Sequence, residues 1–265
     1  MAGDVSRPFF SVYTDSIAIT LTPVMKLLLL CAAFAASAAH AGNFGVSPIR
    51  VELDRNTKSA LVTVSNDDSK PLAFQVRALE WSQEPNGADR YTETTDLVYF
   101  PQQFKVAPNE NRVVRVGYKV PATQSEKTYR LFIEELADPQ RDASSTGIAV
   151  TLRFGVPIFL RPAAANVTGE LGLTMKAGAA EVLVKNTGNV HFRITAVNLT
   201  ALGAGGETVH QQSVDGWYVL TGVTRPYMLK LPPEACAKAK TIRIEAPAEK
   251  VVLRAERELA PADCR

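Results

Sequence analysis

The chain has 265 residues, a hydrophobic share of 46% and a formal net charge of +2, which describes a globular protein of one large or two ordinary domains. Lysine and arginine are not clustered in any one region, so a nucleic-acid footprint is not apparent. The three cysteines and three histidines show neither Cys-x-x-Cys nor His-x-x-x-His spacing, which argues against a metal site.

Fold reasoning begins after the N-terminal stretch. From Met25 the chain runs through a basic Lys26 and an apolar core to Ala39-His40-Ala41, a small-x-small cleavage signature. That core is shorter than the roughly 20 residues needed to span a bilayer. Residues 25–41 are therefore expected to be a cleavable signal peptide, and the residues before Met25 an extended start. Cys31 lacks the small residue before it that lipid attachment requires. Removal of residues 1–41 leaves Cys236 and Cys264, an even pair that in an exported protein suggests one disulfide, with two free thiols as the alternative.

Short runs rich in β-branched and aromatic residues follow, each bounded by Asn, Asp, Pro or Gly. They begin at Phe44, Ala60, Ala73, Leu97, Arg112 and Tyr129, and end in the stretch Gly147–Pro162. Seven such strands over roughly 120 residues fit an immunoglobulin-like sandwich. Helical periodicity is nowhere sustained, so the expectation is all-β.

Gly147–Pro162 has the clearest pattern. Ile148, Val150, Leu152, Phe154, Val156, Ile158 and Leu160 alternate with mostly small or polar residues, which predicts one long strand with a single apolar face. Pro157 places that strand at a sheet edge or a bulge. An open edge can be extended by another chain, including a second copy of this one. Pro162 to Asn166 lacks large apolar residues and reads as a linker. Strands resume at Leu171, Ala180, Val190, Gly216, Thr241 and Lys250, a second and smaller sandwich. Gly203 to Gly206 reads as a hairpin turn rather than a dinucleotide loop. Asn186 to Asn189, next to His191, reads as a turn in which Asn and Gly supply positive φ. A catalytic constellation is not evident, since no Gly-x-Ser-x-Gly elbow occurs.

The order of motifs in the first domain is specific. Pro48-Ile49-Arg50, Val64-Ser65-Asn66, Trp81-Ser82-Gln83, Pro101 with Phe104, Arg112 to Val116, Glu126 with Tyr129 to Leu136, and Pro157 to Pro162 together resemble periplasmic pilus-assembly chaperones of the chaperone–usher system. These have a PapD-like fold, and the variants here are closer to the archaic or spore-coat-type branch. The resemblance implies two immunoglobulin-like sandwiches at an angle, with a cleft between them: residues 42–161, a linker at 162–166, and residues 167–265. It implies no enzymatic activity and no cofactor.

It also implies a function: binding incomplete pilus subunits by donor-strand complementation, preventing their aggregation, and delivering them to an outer-membrane usher. The location would be the periplasm. Donor side chains would be Ile148, Val150 and Leu152, with Phe154 extending the set. Without the resemblance, the same side chains would read as filling the protein's own core.

Two basic residues of the family hold the subunit's terminal carboxylate. Arg50 matches one; the other falls on Pro157, and Arg153, on the same strand face, is the substitute the sequence offers, with a solvated surface residue as the alternative. Glu126 and Arg161 match two members of an inter-domain ion network whose third acid would be Glu245, Glu249 or no residue. The competing function is a secreted two-domain adhesive or structural sandwich, and more remotely a secreted hydrolase.

Overall fold

The computed structural model describes residues 44–121, 123–137 and 151–264. Residues 25–41 and the expected donor positions Ile148 and Val150 lie outside the described residues. The first ten strands are β1 (Phe44–Ser47), β2 (Val51–Leu53), β3 (Ser59–Asn66), β4 (Leu72–Gln83), β5 (Asp89–Glu93), β6 (Leu97–Phe100), β7 (Gln103–Val106), β8 (Asn111–Tyr118), β9 (Lys127–Glu135) and β10 (Arg153–Leu160). They form two sheets, one in the order β1-β3-β8-β6 and the other β2-β10-β9-β4-β5, with β7 pairing to β4.

Alternation explains why these sheets face each other. Val62 and Val64 of β3 and Val114 and Val116 of β8 point one way, and meet Phe74 and Val76 of β4, Leu131 and Ile133 of β9, and Val156, Ile158 and Leu160 of β10, all buried. Burying each such side chain contributes up to about 1.5–3 kcal/mol. The Asn66 side chain closes the end of β3: its amide donates to the Lys70 and Val106 carbonyls, and its oxygen accepts from the Asp68 amide.

The second sandwich uses β11 (Gly169–Lys176), β12 (Ala179–Asn186), β13 (Phe192–Arg193), β14 (Ala196–Leu202), β15 (Thr208–Asp215), β16 (Tyr218–Val219), β17 (Thr224–Lys230), β18 (Thr241–Pro247) and β19 (Val252–Glu258), with one short helix, α1 (Pro233–Lys238). Its sheets run β11-β12-β17, β13-β16 and β15-β14-β18-β19. Its own core holds Val182, Val184, Leu199, Leu229, Ile242 and Ile244. Buried Asn186 repeats the device of Asn66, donating to the Val190 and Val219 carbonyls while accepting from the Gly188 amide. A disulfide joins Cys236 of α1 to Cys264, with Cα atoms 5.8 Å apart.

Three expectations change. The strand expected from Val190 to Leu199 is broken: β13 pairs with β16, Ile194 bridges to Ala248, and β14 then joins a different sheet. β15 and β17 are additional strands, partly polar and therefore weak in the alternation signal.

The third change concerns the stretch Gly147–Pro162. Its described strand begins at Arg153, and from Val156 to Leu160 it is buried on both faces rather than one. The second sandwich covers the other face: Phe159 packs with Trp81 of β4 and with Tyr218 and Leu220. The edge inferred from Pro157 holds for the upstream half only. β9 pairs along all of β10, whereas β2 joins in parallel only at Ile158–Leu160.

Candidate functional site

The outward face of β9 and β10 carries Arg153, while Leu152 and Phe154 lie on the opposite face of the strand, in line with Val156, Ile158 and Leu160. The register sets Arg153 opposite Glu134, Gly155 opposite Phe132, Pro157 opposite Arg130 and Phe159 opposite Thr128. Just upstream, Leu152 and Phe154 are 41% and 37% exposed, although the chain there is already tethered. The Leu152 carbonyl accepts from the Glu135 amide at 2.9 Å, and its own amide donates to a Glu135 carboxylate oxygen at 3.2 Å. Exposed apolar side chains on a strand that, among the described residues, pairs on one side only are what strand addition needs.

The basic residues are placed unequally. Arg50 is already engaged: its guanidinium donates to both Glu249 oxygens at 2.7 and 3.0 Å and lies 3.6 Å from Glu52. Burial alone would lower its pKa, but the bond and charge of Glu249 and the charge of Glu52 raise it. Arg153 is half exposed, paired to Glu134 at 2.7 Å and set over the Phe132 ring at 3.7 Å. It does not reach the seam between the sandwiches.

Arg130 does. It is 7% exposed, its guanidinium carbon lies 4.0 Å from the Trp81 ring centroid, and the Trp217 and Tyr218 rings of the second sandwich lie at 5.8 and 5.7 Å. One guanidinium nitrogen donates to the Gly155 carbonyl at 3.0 Å, while the buried Nε has no partner. No carboxylate among the described residues lies within ion-pair distance of it. A buried cation without an anion is costly, so this position is electrostatically prepared for one. Gly155 keeps the space beside it open, since a Cβ there would come within 3.0 Å of Phe132.

Glu126 and Arg161 are not brought together. Arg161 pairs with Glu52 at 2.8 Å, because its backbone amide binds Leu53 and directs the side chain toward β2. Glu126 instead crosses to the second sandwich and meets His191 Nδ1 at 2.6 Å. Of the candidate third acids, Glu249 joins Arg50 and Glu245 pairs with Arg254. The sandwiches are further joined by Gln83, whose amide donates to the Tyr218 carbonyl and accepts from the Leu220 amide, and by Trp217 Nε1 donating to Asp89 at 3.0 Å. Among the described residues, no cluster of His, Cys, Asp or Glu is arranged to hold a metal.

Sequence reasoning missed Arg130 and His191. An arginine inside the otherwise apolar run Tyr129–Ile133 was the available signal for the first. The second had none, because its acid lies 65 residues away.

Comparison with known proteins bears on the fold. Residues 43–166 match the family described as pili and flagellar-assembly chaperone, PapD N-terminal domain. The probable fimbrial chaperone EcpB of Escherichia coli O157:H7 is 24% identical over 208 residues, covering 76% of this chain and 88% of that protein. Among solved structures, the CsuC–CsuE chaperone–tip adhesion subunit complex of archaic Csu pili from Acinetobacter baumannii aligns with a TM-score of 0.56 at 20% identity, covering 80% of this chain and 98% of that one. The CupB2 chaperone of Pseudomonas aeruginosa aligns at 0.51 and 18%, covering 82% and 100%. Residues 43–166 are thus matched to the PapD N-terminal domain of pili and flagellar-assembly chaperones, and the chain as a whole is similar to a fimbrial chaperone.

Proposed function

We propose that this protein is a periplasmic chaperone of the archaic branch, exported by a signal peptide at residues 25–41. It lends the strand leading into β10 to an incomplete pilus subunit and hands that subunit to an outer-membrane usher. The observation that supports this most directly is the upstream half of β10, which among the described residues pairs with β9 alone and exposes Leu152 and Phe154, leading toward Arg130, which has no carboxylate partner among the described residues. Ile148, Val150, Leu152 and Phe154 fill pockets in the subunit, and backbone pairing fixes the register. The boundary between the working sandwich and its support falls at residues 162–166, between the two separate cores.

The subunit's terminal carboxylate is received at Arg130, because a guanidinium held dry against an indole gains most from an anion. Arg50 contributes only on releasing Glu249. Arg153 acts earlier on the strand, as a lid over Phe132.

Co-expression with a fimbrial subunit encoded beside this gene tests the proposal. Wild-type chaperone should keep the subunit soluble and co-purify with it, while Leu152→Asp and Arg130→Ala should not. Equal yields of soluble subunit with all three proteins would refute both strand donation and carboxylate capture.

A further inference from the structure

Two carboxylates hold Arg50, and they address different edges of its guanidinium. Nη1 donates to both Glu249 oxygens, at 2.7 and 3.0 Å, while Nε lies 3.6 Å from Glu52. The two acids differ in origin. Glu52 lies on β2, next to Arg50 in the chain, and is shared with Arg161, which binds it at 2.8 Å. Glu249 comes from the second sandwich, and Arg50 is its ion-pair partner among the described residues. The turn between β18 and β19 delivers it. Pro247 pairs with Val252, the Ala248 amide donates to the Val251 carbonyl at 2.8 Å, and Ala248 bridges to Ile194. The base of the turn is thereby fixed, with Glu249 and Lys250 at its tip.

The Arg50 and Glu249 side chains are 33% and 44% exposed, so water reaches the pair. An ion pair that water reaches is weak and gives up its partner at little cost, and a guanidinium accepts any carboxylate that meets its fork. We propose that Glu249 is a built-in competitor at Arg50: an internal carboxylate that occupies the arginine in the free protein and is displaced by the terminal carboxylate of an incoming subunit. The inference rests on the carboxylate-capture reading above, and adds to it the residue that decides when Arg50 takes part.

The exchange replaces one carboxylate by another at Nη1, so the charge around Arg50 is conserved while Glu52 keeps the Nε edge in place. A neutral chain end has no charge to exchange and leaves Glu249 where it is. Glu249 therefore makes Arg50 selective for anionic ends at some expense in affinity, which is how a competing contact confers specificity. A plain structural role predicts the reverse. The pair joins the two sandwiches, so if it served only as a tie, its removal would loosen the seam and weaken capture. Gln83 with the Tyr218 carbonyl and Trp217 with Asp89 remain to hold the seam when Glu249 leaves, and removing a competitor strengthens capture. The sign of the change separates the two roles.

Titration calorimetry of the full chain with the C-terminal peptide of a fimbrial subunit encoded beside this gene, made once with a free carboxylate and once as the amide, tests the inference. Glu249→Gln should bind the free acid about three- to fivefold more tightly than wild type does, the upper range for a partly exposed ion pair, and the amide no differently. In an Arg50→Gln background the same change should bring no gain. Glu249→Ala repeats the measurement with a side chain that cannot bond Arg50. Unchanged or weaker binding of the acid by both Glu249 variants, with wild type still preferring acid to amide, would make Glu249 a tie and overturn this inference alone. A gain shared by acid and amide, or one that persists without Arg50, would assign the effect to a loosened seam and overturn it as well. Equal binding of acid and amide by every protein would overturn carboxylate capture together with the competitor.

Discussion

Arg130 stands directly opposite Pro157 in the β9–β10 ladder, so the cation missing from one strand is present on its neighbour. The two positions share a sheet face, and the Arg130 guanidinium bonds the Gly155 carbonyl of β10, two residues before Pro157. Loss of a desolvated charge partner typically costs about 2–5 kcal/mol of binding. Arg130→Ala should therefore lower subunit affinity by that amount, and Arg153→Ala by less than about 1 kcal/mol, as for an exposed pair. Titration calorimetry of each variant with one purified subunit peptide ranks them. A larger loss at Arg153 would reverse the assignment.

Leu152 and Phe154 separate function from stability. Both are exposed in the described protein, so Leu152→Asp should change unfolding stability by no more than about 0.5 kcal/mol while abolishing subunit capture. A buried strand residue makes the opposite case. Ile158→Ala should destabilise the protein by about 2–5 kcal/mol through a cavity in the first core. Urea unfolding alongside a co-purification assay reads both. If Leu152→Asp proves as destabilising as Ile158→Ala, the upstream edge packs within this chain and is not a donor.

Much of this architecture was legible in the sequence, for a physical reason. The period-two pattern of Val62 and Val64 or of Val114 and Val116 is imposed by burial within a single sandwich, and nearby residues carry it. What the pattern could not show is contact with a second body. Phe159 occupies the face that alternation marks as solvent-facing, and it is buried because the second sandwich lies over it. Glu126 likewise looked destined for Arg161, its nearest family-like cation. The strand direction at Arg161 and the position of His191 decide otherwise, and neither is encoded locally.

Asp96 predicts an acid limit to stability. Its carboxylate accepts from Lys127 Nζ at 2.9 Å and from the hydroxyl of fully buried Tyr129 at 2.7 Å. Those two bonds hold the Asp96 carboxyl below its ordinary value, and burial with the bond to Asp96 pushes the Tyr129 hydroxyl up. A depressed carboxyl stabilises the fold above its unfolded pKa, and that contribution is lost as pH falls through the lower folded value. Asp96→Ala should remove this acid-dependent part and leave the Tyr129 hydroxyl unpaired, at about 1–3 kcal/mol. Tyr129→Phe should recover much of the latter in that background. Chemical denaturation at pH 7 and below pH 4 distinguishes the two contributions.

The disulfide fixes the chain end to α1 across a separation of 28 residues. A loop of that size corresponds to about 3–4 kcal/mol in the chain-entropy account. Cys236→Ser with Cys264→Ser should lower the stability of the second core by about that amount, with little effect on subunit capture, since the pair belongs to the core farthest in sequence from β10. Unfolding with and without reductant, compared with the double variant, provides the measurement. Reductant sensitivity that persists in the double variant would locate the effect elsewhere.

Gln83 offers the sharpest test of how the sandwiches are joined. Its Nε2 donates to the Tyr218 carbonyl at 2.9 Å and to Asp89 at 3.0 Å, while its Oε1 accepts from the Leu220 amide at 3.0 Å, so one side chain pairs with a backbone strand as a neighbouring strand would. Gln83→Ala leaves that carbonyl and amide unpaired at a half-buried seam, costing about 1–3 kcal/mol. Gln83→Glu is the more telling change. It keeps the acceptor for Leu220 but sets a carboxylate against the Tyr218 carbonyl and the Asp89 carboxylate, so it should destabilise at least as much at neutral pH and recover in acid as the new carboxyl gains a proton. Each sandwich has its own core, so weakening the seam should also split a single unfolding transition into two. A Gln83→Glu protein that unfolds in one transition at the wild-type midpoint would mean that the aromatic cluster of Trp81, Phe159 and Tyr218 alone holds the sandwiches in register.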